Sequence, residues 1–86
     1  MSIENKYKKR NIDVQQHVKS EMENAKKGLS KKRIDQLDMI LKELEKMMNN
    51  KSLPLCYPRI IVDSWDFNDK LGLELLDLAE LYRRWK

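Results

Sequence analysis

What is scarce in this chain bounds its fold before any pattern is read. There is one cysteine, Cys56, so no internal disulfide can form and a secreted disulfide scaffold is excluded. Two glycines and two prolines in 86 residues are too few for a turn-rich β-sandwich. No apolar run approaches the roughly 20 residues of a membrane span. The basic N-terminus is not followed by the apolar segment of a secretory signal, and a cytoplasmic location is expected. A single histidine, His17, leaves no partner for a His-based metal site. Without a nucleophile–base pair, an oxyanion motif or a phosphate-cradling loop, neither an enzyme nor a cofactor is expected.

What is present favours helices. Hydrophobic residues make up 41% and charged residues 37%, and the abundant Leu, Met, Lys and Glu are good helix formers. The length fits one domain with a small core. The densest apolar stretch is Asp63 to Lys86, which holds both tryptophans and the only phenylalanine. At 100° per residue Phe67, Leu71, Leu75, Leu78, Tyr82 and Trp85 form one stripe, with Trp65, Leu76 and Ala79 on a second and Leu73 further round. A helix apolar over so much of its circumference needs neighbours on more than one side, so it is expected to be the central helix.

The expected fold is all-α: a three-helix bundle-like domain over residues 11–86, preceded by a flexible basic N-terminus over 1–10. Helices are expected near 11–27, 31–49 and 64–85. The first carries a thin stripe of Val14, Val18, Met22, Ala25 and Leu29. Asn11 would cap it, or Ser2 or Asn5 would start it earlier. Gly28 suits its C-terminal stop. Ser30 is the expected cap of the second helix, with Leu29 and Ile34 as a hydrophobic staple. Its core-facing seam is Ile34, Leu37, Leu41, Leu44 and Met48, widened by Ile40 and Met47. Pro54 and Pro58 exclude a continuous helix between, so residues 50–62 are expected to be an ordered, Pro-containing crossover; the sequence leaves open whether 59–62 are extended, since a strand there would have to pair across a dimer. Asp63 is the expected cap of the last helix, with Val62 and Phe67 as a second staple. Gly72 is its weak point, and a short turn at 64–69 before a main helix from 69 is the alternative.

Charge is unevenly spread. Residues 1–33 hold ten Lys/Arg against four Asp/Glu, whereas 63–81 hold six acids against Lys70 alone. The two regions attract, within one chain or between two copies. Clustered bases at Lys8, Lys9, Arg10 and at Lys31, Lys32, Arg33 are candidate nucleic-acid contacts. Yet the second helix beyond Arg33 is acidic and apolar, unsuited to reading base edges. Asp63, Asp66 and Asp69 read as helix-start acids rather than metal ligands. Cys56 reads as a buried structural thiol, and His17 as a partly exposed side chain. Apolar surface left over after the helices close, at Trp65, Leu73, Leu76, Tyr82 and Trp85, marks a candidate interface. The expected function is therefore non-enzymatic protein–protein interaction, by self-association or as an adaptor or inhibitor. A nucleic-acid-binding accessory protein or transcriptional regulator is the alternative.

Overall fold

The structure, a computed structural model, describes residues 2–50, 53–66 and 68–85. They form four helices and, among the described residues, no strand: α1 (Ile3–Lys26), α2 (Ile34–Met47), α3 (Tyr57–Ser64) and α4 (Lys70–Trp85). The molecule measures 39 × 22 × 20 Å. Its long dimension is that of α1, whose 24 residues at about 1.5 Å each span about 36 Å.

α1 starts well before Asn11. Ser2 caps it, its hydroxyl accepting from the Asn5 amide at 3.2 Å. Residues 3–10 are therefore helical, and Tyr7, at the start of the second turn, is fully buried. Tyr7, Asn11, Val14 and Val18 make the buried stripe at 4-3-4 spacing, with Met22 and Ala25 packed on its end. The exit is a Schellman motif. Gly28 takes φ +78°, its amide donates to the Ala25 carbonyl at 3.2 Å, and the Leu29 amide donates to the Asn24 carbonyl at 2.8 Å.

α2 starts three residues later than a Ser30 cap would place it. Ser30 accepts from the Lys32 amide at 3.2 Å, so it closes a local turn instead of capping a helix. The staple is absent, because Leu29 and Ile34 are both exposed. The physical reason is electrostatic: in this register Lys31, Lys32 and Arg33 precede the first turn rather than crowd its positive end, and Asp35 is the charge placed there. The buried seam is Leu37, Ile40, Leu44 and Met47, turned away from exposed Ile34 and half-buried Leu41 and Met48.

The expected single helix over 64–85 is two helices joined by a break at 65–69. Part of the expected crossover is the first of them. Residues 59–62, which the sequence leaves open, are helical, and Pro58 lies in the first turn, where its missing N–H costs nothing. A side chain of α2 caps α3: Glu43 Oε1 accepts from the Cys56 and Tyr57 amides at 2.7 and 3.0 Å. Asp63 belongs to the last turn of α3 and, among the described residues, caps no helix, and Val62 is exposed; Phe67, its expected staple partner, lies outside the described residues. Asp69 performs the capping, its carboxylate accepting from the Gly72 amide at 2.9 Å. Gly72 keeps the elbow tight, since a Cβ there would lie 3.2 Å from Ile61 Cγ2 and 3.3 Å from Trp65 Cε3.

α1, not the last segment, is the hub, packing along both α2 and α4, while α3 bridges those two. One core joins all four helices. Three rings close one end of it: Tyr7 stacks on Trp85 with centroids 5.0 Å apart, and Tyr82 lies 5.4 Å from Tyr7. The Tyr82 hydroxyl donates to the Asn50 carbonyl and accepts from the Leu53 amide at 3.0 Å, fastening the crossover to α4. Tyr57 does the same for α3, donating to the Leu75 carbonyl at 2.7 Å.

Candidate interaction face

The five residues expected as leftover apolar surface separate into two groups. Tyr82 and Trp85 are inside the aromatic cluster, 0% and 9% exposed, so their apolar area is already used within the chain. Trp65, Leu73 and Leu76 come together at the α3–α4 elbow. They line a hollow of about 110 Å³ with Ile61, Val62, Asp66 and Gly72. Trp65 and Leu76 are half-buried, whereas Val62 is 70% and Leu73 51% exposed. Periodicity alone misses Val62, which the two prolines place in a crossover. Only the helical form of α3 brings it to the same hollow as Leu73.

Trp65 also separates this hollow from a polar one. On its other side lie Lys31, Lys32, Arg33, Gln36 and Asp69, around about 440 Å³. Lys32 is fixed there. Its ammonium meets Glu21 at 2.7 Å and Asp69 at 2.5 Å and sits 5.0 Å above the Trp65 ring. Burial works against the Lys32 charge, but hydrogen bonds to Asp69 and Glu21 outweigh it and raise its pKa. Burial likewise opposes the Asp69 charge, yet the bonds from Lys32 and the Gly72 amide hold its pKa below the usual carboxylate range. This network joins α1, the 27–33 connection and the start of α4.

The six candidate nucleic-acid contacts do not form one surface. Lys8, Lys9 and Arg10 lie in the first half of α1, and Lys31 to Arg33 lie beyond its far end, so more than 20 Å of helix separates them, about 24 Å from residue 10 to residue 26. Lys8 pairs with Glu4 at 3.6 Å and Arg33 with Asp35 at 2.8 Å. Lys6 and Arg10 border a hollow shared with Asp77 and Glu80 of α4, and His17 meets Glu74 at 2.6 Å. Two contacts between the basic and acidic regions, Lys32–Asp69 and His17–Glu74, are thus made inside one chain.

The remaining candidates have plain positions. His17 is partly exposed on α1. Cys56 is exposed at the start of α3, not buried, because the residue stands outside the first turn, where Glu43 holds its amide at the surface. Asp63 pairs loosely with Arg59 at 4.0 Å. Among the described residues no group of three His, Cys, Asp or Glu side chains is placed to hold a metal ion, and no helix is long and apolar enough to cross a membrane.

Comparison with protein-family models, with curated proteins and with solved structures found no match.

Proposed function

We propose that this protein is a non-enzymatic binding module that docks another protein surface on the α3–α4 elbow. The observation that carries the reading is the convergence of Val62, Trp65, Leu73 and Leu76 on one hollow, with Val62 and Leu73 more than half exposed. Burying such a cluster against a partner returns about 25 cal/mol for each Å² of apolar surface removed from water. Trp65 is suited to be its anchor, since Lys32 holds its ring from the polar side and its indole N–H reaches Gln36 at 3.4 Å. The nucleic-acid reading has weaker support, because its two basic clusters stand at opposite ends of α1 and Lys32 is engaged by two carboxylates.

Photo-crosslinking tests the proposal. A benzophenone side chain placed at Leu73 in expressing cells should give covalent adducts with protein, whether a second copy or another chain. The same group at Lys46, exposed in the last turn of α2, should give none. Silence at Leu73, or equal adducts at both positions, sinks the reading.

A further inference from the structure

We infer that Lys32 is a strap across the α3–α4 elbow: the elbow opens and closes on this one side chain while the rest of the core stays folded. The inference goes beyond the binding reading, because it concerns how the wall of the elbow hollow is held and not what docks there.

The strap joins three parts of the fold. Lys32 belongs to the connection after α1, not to a helix. Its neighbours Lys31 and Arg33 are exposed, yet the Lys32 side chain is only 16% exposed. Its ammonium reaches Glu21 of α1, Asp69 before α4 and the ring of Trp65, the C-cap of α3. Asp69 thereby holds two groups at once, Lys32 on one carboxylate oxygen and the Gly72 amide on the other.

The other polar ties at the elbow are weaker. Gln36 accepts from the Trp65 indole at 3.4 Å and donates to the Ser64 hydroxyl at 3.5 Å, both long for hydrogen bonds. α3 gives the core only Tyr57 and Ile61, while the far end of the rod is closed by the Tyr7, Tyr82 and Trp85 rings. An element with few buried apolar contacts opens at a lower free energy than the core. Without the lysine, two carboxylates that share one ammonium would face each other with no cation between them, so loss of the strap drives the elbow apart. Opening moves the Trp65 wall that stands between the apolar hollow and the polar one.

Native-state hydrogen exchange on the full chain reads the strap directly. The Gly72 and Leu73 amides both donate to Asp69, to its carboxylate and its carbonyl. In the wild type they should exchange through an opening that low urea leaves unchanged, whereas the Val18 and Leu44 amides should follow global unfolding. Lys32→Met should speed Gly72 and Leu73 at least about tenfold. Lys31→Met, which removes the same charge one residue away, should leave them within about twofold of the wild type. Val14→Ala, in the core of α1, weakens the closed and the opened elbow states equally. It should therefore speed Val18 and Leu44 and leave Gly72 and Leu73 as they were. Gly72 and Leu73 responding to Val14→Ala as the core amides do, or responding equally to Lys31→Met and Lys32→Met, would overturn the inference. If Lys32→Met does not fold, the wild type and Val14→Ala decide it: elbow amides that track urea with the core amides leave no separate opening for a strap to control.

Discussion

The Asn11 side chain of α1 donates to the Leu44 carbonyl of α2 at 3.1 Å, in the closed interior of the protein. Leu44 is four residues before the C-cap Met48, whose own amide donates to the Glu45 carbonyl at 3.3 Å instead, so the Leu44 carbonyl belongs to the last turn of α2 that lacks intrahelical donors. The same amide group donates to the Tyr7 hydroxyl at 2.9 Å, and the Asn11 oxygen accepts from Gln15 at 2.6 Å. A fully buried asparagine is thereby satisfied and fixes how far α1 slides along α2.

Asn11→Ala leaves the Leu44 carbonyl without this donor and opens a small void. The expected loss is about 2–3 kcal/mol, read as a lower urea midpoint at unchanged slope. A midpoint equal to that of the wild type would show that the bond adds nothing to the packing of α1 on α2.

Glu43→Ala removes the cap of α3. The Cys56 and Tyr57 amides lose their acceptor, and the short helix should fray at a cost of about 1 kcal/mol. Amide hydrogen exchange should rise at these two residues while the α1 amides keep their protection. Unchanged exchange at Cys56 would contradict the cap.

Stability should be flat across neutral pH and fall at both extremes. Burial raises the Tyr57 pKa, and burial pushes Tyr7 up to about 12. Lys32 is raised too, its carboxylate partners outweighing desolvation. All three hold their protons longer folded than unfolded, so their contribution is complete below about pH 10 and is lost as pH rises beyond it. Asp69 has the opposite sign. Its lowered pKa gives a contribution present above about pH 4 and lost as pH falls further. Urea midpoints measured against pH should show both limbs, and Lys32→Met should flatten the acid one.

The helical class and much of the core could be read from periodicity, because it rests on spacing within single segments. Val14, Val18, Leu37, Leu44, Leu75 and Leu78 are all buried as their spacing requires, and Gly28 ends α1 as its lack of a Cβ allows. What periodicity missed depends on contacts between segments. Asn11 looks like a cap until Leu44 is opposite it. Pro58 looks like a breaker until Glu43 supplies an acceptor that makes it a first-turn residue. The apolar rhythm through 63–78 continues across the elbow and conceals it, while Asp63, Asp66 and Asp69 offer three equivalent caps, of which contact with Lys32 and Gly72 selects the last. The elbow face followed the same pattern: Trp65, Leu73 and Leu76 were legible as surplus, but Val62 joined them only through the helical form of α3.

The two indoles stand at opposite ends of the long axis, Trp85 stacked beside the first turns of α1 and Trp65 beneath the lysine that follows its last. Each therefore serves as a local optical reporter. Chains carrying only one indole should let fluorescence distinguish a rod that melts all at once from one that opens first at either tip.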